Sequence, residues 1–164
     1  MLIRRARPED LDAVGEVTVE AYSDYTKGAE DGYVTHLRDA ASRHREAELW
    51  VALSDDGATV LGSVTVCPEG SPWREIAEPG EGEFRMLSVA PQARSLGVGT
   101  ALIDLVLARF REEGARAVAL SSLAEMSAAH RLYERAGFVR LPARDWSPVP
   151  GVDLIAYRLD LETA

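Results

Sequence analysis

The 164-residue chain is long enough for one domain with a single hydrophobic core, and its 46% hydrophobic and 27% charged residues are typical of a folded protein. The net charge of −9 excludes general nucleic-acid binding, which needs a basic surface, and is compatible with a cationic small-molecule partner. No apolar run approaches the about 20 residues that cross a bilayer, and the one cysteine, Cys67, cannot form an internal disulfide. We therefore expect a single domain over residues 1–164 that lies in the cytoplasm and has no membrane partner.

The first half of the chain begins with strand and helix patterns and ends in an irregular segment. In chain order, it predicts a strand, two helices and two further strands at Leu2–Arg5, Pro8–Ala21, Tyr33–Arg45, Leu49–Leu53 and Thr59–Val66. An Asp-Gly pair at 56–57 joins the last two strands and is typical of a hairpin turn. The prolines and glycines of Cys67–Gly82 then predict a loop, which also carries several glutamates.

The second half of the chain alternates strands and helices. In chain order, it predicts a strand, a helix, a strand, a helix and two strands at Glu83–Val89, Gly99–Glu113, Ala117–Ser122, Ala124–Ala136, Phe138–Leu141 and Val152–Leu161. Gly114 and Gly137 lie just past the two helices, as glycines often do at helix ends. The whole order predicts an α/β fold with one mixed, mostly antiparallel sheet of about six to seven strands and about four helices on both faces.

The most informative stretch joins a predicted strand to a predicted helix and reads Arg-Ser-Leu-Gly-Val-Gly at 94–99. The start of a helix offers free backbone N–H groups and a partial positive charge, and both attract phosphate. Gly97 and Gly99 allow the backbone to approach a ligand closely, and Arg94 adds a fixed cation. The loop is therefore a predicted cradle for a diphosphate.

Other phosphate-binding motifs fit this loop less well. A Walker A loop requires Lys and then Ser or Thr after its last glycine, whereas Thr100 and Ala101 follow here. A Rossmann motif requires Gly or Ala three residues after Gly99, and that residue is Leu102. An ordinary helix start, in which the glycines serve close packing, remains an alternative for the loop alone.

A second motif follows one predicted strand later, at Ala129–Phe138, and has the pattern A-x-x-L-Y-x-x-x-G-F. Together with the loop and the preceding Met86–Pro91, it resembles the GNAT superfamily of acyl-CoA-dependent N-acyltransferases, whose coenzyme A motif is Arg/Gln-x-x-Gly-x-Gly/Ala. The resemblance is specific over Glu83–Phe138. It implies an acetyl-CoA cosubstrate, no metal, and direct acetyl transfer to an amine of a small molecule or peptide.

The resemblance also implies which residues hold the cosubstrate. The sheet is expected to splay beside the strand Glu83–Val89, often at a bulge, so that the pantetheine arm pairs with the strand backbone. Two positions depart from the family pattern, since Ser95 stands where glycine is frequent and Met126 stands where many members have asparagine. The residues implied for coenzyme A binding are Leu87, Val89, Arg94, Ser95, Leu96, Gly97, Val98, Gly99, Thr100 and Ala129.

Two residues are implied in catalysis. Tyr133 matches the tyrosine whose hydroxyl protonates the leaving thiolate in many family members, and its alternative role is that of a core tyrosine. Glu83, six residues before Val89, matches the glutamate that is the general base in some members. Because most glutamates are exposed, a solvated carboxylate at the start of the strand is the alternative for Glu83.

The motifs do not specify the acceptor. The glutamates of the Cys67–Gly82 loop favour a cationic amine. The segment Ala143–Gly151 is a candidate either for closing the acceptor side or for pairing subunits in a homodimer. A domain of the same fold that senses acyl-CoA without turnover is the alternative function.

Overall fold

The computed structural model describes residues 1–28 and 31–162. Its strands and α-helices are β1 (Leu2–Arg5), α1 (Leu11–Ala21), α2 (Gly32–Arg38), α3 (Ala40–Glu46), β2 (Glu48–Leu53), β3 (Val60–Cys67), β4 (Glu81–Val89), α4 (Val98–Glu113), β5 (Ala117–Leu123), α5 (Ser127–Arg135), β6 (Val139–Arg140), β7 (Trp146–Val149) and β8 (Val152–Asp160). Short 3-10 helices occupy Pro8–Asp10, Ser23–Tyr25, Pro91–Ala93 and Pro142–Arg144. None of the helices in the described ranges has the length and apolarity needed to span a membrane.

The strands form one sheet in the order β1-β2-β3-β4-β5-β8-β6, and β7 pairs with β8. β4 and β5 run parallel, whereas the other neighbours are antiparallel. Gly82 of β4 faces Phe110 of α4, and Phe84 packs against Tyr133 of α5. Because successive residues point to opposite faces, Glu83 lies on the other face of β4. Helix α1 also contacts this strand. The predicted fold class, a mixed and mostly antiparallel sheet with helices packed on it, is confirmed.

Two elements differ from the sequence-based expectation. The predicted helix over Tyr33–Arg45 is two helices, because Asp39 leaves the helical conformation at ψ 67° and caps α3 by accepting the N–H of Ser42 at 3.1 Å. The segment Ala143–Gly151, for which the sequence pattern predicts no strand, contains β7, which pairs with β8 along the sheet. The described residues therefore form eight strands and five α-helices, rather than the about six to seven and about four expected.

α4 buries an apolar face in the core. Leu102, Ile103, Val106 and Phe110 recur at helical spacing, and each is at most 1% exposed. Burial of each such side chain stabilises the fold by about 1.5–3 kcal/mol. A Cβ at Gly82 would clash with the Phe110 ring, so the missing side chain allows α4 to pack closely on β4. These contacts hold α4 against the sheet, and the predicted cradle lies at the start of this helix.

A buried carboxylate ties β8 and the segment before β7 to the start of β4. Glu81 accepts two hydrogen bonds from Arg144, at 2.6 and 3.2 Å, and one from Arg158 Nε at 3.0 Å. The N–H of Glu78 donates to the same carboxylate at 3.0 Å. Burial alone would raise the pKa of Glu81, but the hydrogen bonds from Arg144, Glu78 and Arg158 outweigh burial and lower this pKa from 4.5 to about 2.

Candidate active site

A gap opens in the sheet where β4 and β5 separate. The two strands pair only over Glu81–Glu83 and Ala117–Ala119. Beyond these residues, the β3–β4 register shifts between Ser63 and Thr65, and Met86 adopts a positive φ of 52°. A register shift with one residue in a left-handed conformation is the geometry of a β-bulge. The sheet thus splays at a bulge beside the motif strand, as the resemblance implies.

The backbone of β4 has an unpaired edge along this gap. The N–H of Ala90 donates to the carbonyl of Leu61 in β3 at 2.8 Å, so alternate residues such as Ser88 and Ala90 face β3. Leu87 and Val89 therefore direct their N–H and C=O groups into the gap, where an extended ligand can pair with them. The half-buried side chains of Leu87 and Val89 pack against the core.

The loop between β4 and α4 ends in a cluster of free backbone N–H groups. Gly97 precedes α4 with a φ of 80°, a left-handed conformation that favours glycine. Arg94 and Leu96 use their N–H groups inside the loop, in bonds to the carbonyl groups of Pro91 and Ala93. The N–H groups that bond to no described residue belong to Ser95, Gly97, Val98, Gly99 and Thr100. These donors lie at the positive end of a 16-residue helix and suit a diphosphate.

The two glycines of the loop have different structural roles. A Cβ at Gly99 would lie 2.8 Å from Leu132 Cδ2 of α5, so this glycine allows α5 to approach α4. A Cβ at Gly97 would meet nothing within 4 Å, so only its backbone conformation requires glycine. Close packing therefore explains the glycine at position 99, whereas the glycine at position 97 is required by the backbone conformation of the predicted cradle.

Ser95 also adopts a left-handed conformation, with a φ of 72°. A residue with a Cβ is strained there, so we expect Ser95→Gly to raise the free energy of unfolding by about 0.5–1 kcal/mol in urea titrations. Ser95→Ala keeps the Cβ and loses only the hydroxyl, so it should not stabilise the protein. Equal stabilisation by both variants would show that the hydroxyl, and not the backbone strain, determines the effect.

A groove of about 590 Å³ runs from the gap to the loop. It is lined by every residue predicted to bind coenzyme A except Leu96, whose side chain is 63% exposed and lies outside it. Arg131 and Arg135 of α5 also line the groove beside Arg94. Sequence reasoning missed these two cations, although their spacing of four residues places them on one face of a helix.

Tyr133 lies where the groove meets a smaller cavity. The tyrosine is 6% exposed, and its ring packs against Phe84, Phe138 and Tyr157 with centroid distances of 6.0, 6.2 and 6.0 Å. Burial raises the pKa of Tyr133, and Tyr157 adds to this shift. The phenol therefore stays protonated at neutral pH and is able to donate a hydrogen bond. Tyr133 therefore packs in the core and also lines the groove.

The smaller cavity, which we call the polar chamber, has a volume of about 50 Å³. Tyr22, Met126 and Tyr133 line both the groove and the polar chamber, so the two cavities adjoin at these side chains. The other polar residues that line the chamber are Tyr33, Glu75, Arg85, Ser121 and Ser122. A groove for an extended ligand thus ends beside a small polar space.

The sequence of this chain is similar to that of a known protein family. The sequence model of the acetyltransferase (GNAT) family matches residues 14–138, which include β4, the glycine loop and α5. The chain belongs to the GNAT acetyltransferase family. The matched range contains both motifs and every residue predicted to act in catalysis or to bind coenzyme A.

Individual relatives agree with this assignment. A mycothiol acetyltransferase from Cellulomonas flavigena is 33% identical, and the match covers 90% of this chain but 44% of that protein, so the chain spans less than half of this relative. An N-acetyltransferase structure from Kribbella flavida has a TM-score of 0.73 at 25% identity and covers 98% of this chain and 97% of that one. An acetyltransferase from Salmonella typhimurium, solved with acetyl-CoA, shares the fold at a TM-score of 0.66 and 19% identity, over 99% and 95% of the chains.

Glu83 of this GNAT protein is fully buried, so the alternative of a solvated carboxylate is wrong. Its Oε1 accepts the backbone N–H groups of Glu75, Ile76 and Ala77 at 3.0, 3.0 and 2.9 Å. Its Oε2 is buried and has no hydrogen-bond partner among the described residues. Glu83 therefore fixes the loop before β4, and a role as general base stays a prediction.

Within residues 1–28 and 31–162, no group of three or more His, Cys, Asp or Glu side chains is arranged to hold a metal ion. Cys67 lies at the end of β3 with a buried, free thiol. Burial raises the pKa of Cys67, which keeps the thiol neutral and unreactive.

Proposed function

We propose that this GNAT protein transfers the acetyl group of acetyl-CoA directly to an amine of a small molecule or peptide. One observation carries the proposal: a path leads from the free N–H groups before α4, along the unpaired edge of β4, to the phenol of Tyr133. Coenzyme A presents matching parts in the same order, namely a diphosphate, an extended pantetheine arm and a terminal thioester.

In this proposal, the loop before α4 binds the diphosphate of acetyl-CoA, and the gap beside β4 binds its pantetheine arm. The free N–H groups from Ser95 to Thr100 hold the diphosphate, and Arg94, Arg131 and Arg135 add positive charge along the groove. The backbone of β4 at Leu87 and Val89 pairs with the pantetheine arm. One of these N–H groups also polarises the thioester carbonyl as negative charge develops on its oxygen.

The proposed reaction needs proton transfer and positioning rather than a covalent enzyme intermediate. The amine nitrogen bonds to the acetyl carbon, the carbon–sulfur bond breaks, and the Tyr133 phenol donates to the departing sulfur. An amine with a pKa of about 10.4 is unprotonated in only about one molecule in 10³ at pH 7, so a general base must remove its proton. Holding both reactants in the adjoining cavities supplies much of the remaining acceleration.

The acceptor and the cellular setting belong to the same proposal. The net charge of −9 supports a cationic amine as acceptor. The single cysteine, with its free thiol, supports a location in the reducing cytoplasm. The chemistry proposed here calls for no metal. A homodimer that pairs through Ala143–Gly151 remains a proposal, and β7 with its half-exposed Val149 lies in that segment.

Calorimetry with acetyl-CoA, followed by an assay of thiol release with a panel of amines, tests the proposed function. We expect saturable binding, and thiol release that depends on the amine and matches the acetylated product found by mass spectrometry. Binding without release for any amine would favour a sensing domain of the same fold. No binding at high protein concentration would contradict the proposal.

A matched pair of glycine variants tests the cradle. Gly97 and Gly114 both have a φ of 80° at opposite ends of α4, and both leave open space for a Cβ. Gly97→Ala and Gly114→Ala should therefore lose similar stability, because an alanine is strained by about 1–2 kcal/mol in this conformation. Only Gly97→Ala should weaken acetyl-CoA binding, by about tenfold in calorimetry. Equal affinity of the two variants would place the diphosphate elsewhere.

A further inference from the structure

The loop between β3 and β4 brings one carboxylate to the polar chamber. Among the described residues that line this chamber, Glu75 is the one acidic side chain, and none of them is a histidine. The chamber adjoins the groove at Tyr22, Met126 and Tyr133. A carboxylate is therefore available on the side of Tyr133 that the coenzyme groove does not occupy.

The structure holds Glu75 in place by two direct interactions. Its N–H donates to Glu83 Oε1 at 3.0 Å, and its Oε1 lies 3.1 Å from Arg85 Nε. Arg85 is itself fixed, because its Nη1 donates to the carbonyl of Trp73 at 3.3 Å and its guanidinium lies 5.3 Å from the centre of the Trp73 ring. The ion pair with Arg85 is made at Oε1 of Glu75, and Glu75 lines the polar chamber.

We propose that Glu75 receives the ammonium group of the acceptor in the polar chamber and removes its proton, and that the acceptors are primary amines on an unbranched carbon. This inference rests on the proposed acetyl transfer and names its base and substrate class. A chamber of about 50 Å³ has room for about one or two water molecules, so it admits a slim terminal group and excludes a branched one. The rings of Tyr22, Tyr33 and Tyr133 around it also favour a cation.

The proton balance of the step is simple. The ammonium N–H bond breaks and its proton passes to Glu75 and then to water. The free amine then attacks the acetyl carbon, so that a carbon–nitrogen bond forms and the carbon–sulfur bond breaks. The Tyr133 phenol gives its proton to the departing thiolate, which leaves as the thiol, and the second proton that the nitrogen loses restores the phenol. No oxidant, reductant or further reactant is involved.

The surroundings of Glu75 suit it to this role. Among the described residues, the charged and titratable groups around it are Arg85 and Glu83 of β4, Tyr33 of α2 and Cys67 of β3, together with Tyr22 and Tyr133, which line the same chamber. Burial raises the pKa of Glu75 above its ordinary value of 4.5, Arg85 opposes this shift and Glu83 adds to it. A raised pKa makes the carboxylate a better proton acceptor near neutral pH.

Glu75→Gln tests the inference, with Glu78→Gln of the same loop as its control, since the Glu78 side chain is 57% exposed. We expect Glu75→Gln to lower kcat/KM for n-butylamine or putrescine about 10²–10³-fold and to leave the acetyl-CoA affinity unchanged. Its rate should no longer rise with pH through an acidic limb, because the wild-type limb reports deprotonation of Glu75. Wild type should use tert-butylamine at least tenfold less well than n-butylamine.

A second acceptor distinguishes removal of a proton by Glu75 from positioning of the amine by Glu75. O-methylhydroxylamine is largely unprotonated at neutral pH and needs no base, so Glu75→Gln should cost at most a few-fold with it. Equal losses with n-butylamine and O-methylhydroxylamine would overturn the role as base. Activity of Glu75→Gln equal to that of Glu78→Gln would overturn the inference while wild-type turnover upholds the proposed function. A wild type that binds no acetyl-CoA would overturn both.

Discussion

Tyr133→Phe should lower kcat for acetyl transfer about 10²-fold and leave the affinity for acetyl-CoA nearly unchanged. The hydroxyl is the only group removed, and its expected contribution is a hydrogen bond or proton donated to the sulfur as the carbon–sulfur bond breaks. Because the ring and its contacts with Phe84 and Phe138 remain, the fold should be retained. Steady-state thiol release and calorimetry measure the two effects separately.

Tyr157→Phe is the matched control for this prediction. Tyr157 is 2% exposed, its ring centre lies 6.0 Å from that of Tyr133, and it lines neither the groove nor the polar chamber. Its hydroxyl donates to Glu134 Oε2 at 3.4 Å, a long hydrogen bond whose loss should cost little. Similar losses of kcat in both variants would mean that Tyr133 acts through packing alone.

Glu81→Gln should destabilise the protein by about 3 kcal/mol at pH 7, since it removes the charge that Arg144 and Arg158 share. The folded-state pKa of Glu81 is about 2, below its ordinary value of 4.5. A depressed carboxyl pKa contributes stability that is fully present above the unfolded-state value and is lost as the pH falls through the folded-state value. The difference between wild type and variant should therefore shrink as the pH falls from about 5 to about 2.

Urea unfolding at a series of pH values checks this expectation. Glu113→Gln is the control, because Glu113 forms an exposed ion pair with Arg109 at 3.7 Å one helical turn away. Such a surface pair contributes about 0.3–0.5 kcal/mol. If the effect of Glu81→Gln did not change with pH, hydrogen-bond geometry rather than charge would explain the loss.

The two glutamates beside the polar chamber show that a sequence motif can predict where a site lies without predicting the role of each residue in it. Glu83 stands at the strand position that the resemblance implies for a base, yet three backbone amides occupy its Oε1. One of those amides belongs to Glu75, whose carboxylate lines the chamber. Glu83 can therefore contribute by positioning Glu75, and the variants proposed for Glu75 distinguish this arrangement from direct catalysis by Glu83.

The alternation of strands and helices could be predicted because most elements are bounded by local signals. Gly114 ends α4 in a left-handed conformation, as expected for a glycine just past a helix. The break at Asp39 and the strand β7 were missed for different reasons. A side-chain cap interrupts an otherwise helical pattern at Asp39, and β7 depends on its partner β8 more than on its own composition.

The sequence by itself determined the family and most of the order of the elements, and it predicted a diphosphate cradle. These depend on short segments, since a glycine before a helix sets the backbone and frees its N–H groups without help from distant residues. Only the tertiary structure decided which side chains surround the polar chamber. Tyr22 directly follows α1, Glu75 lies in a loop and Arg85 lies in β4, and no spacing along the chain links them. The splay of β4 from β5 and the packing of α1 beside it bring them together, and both are long-range effects.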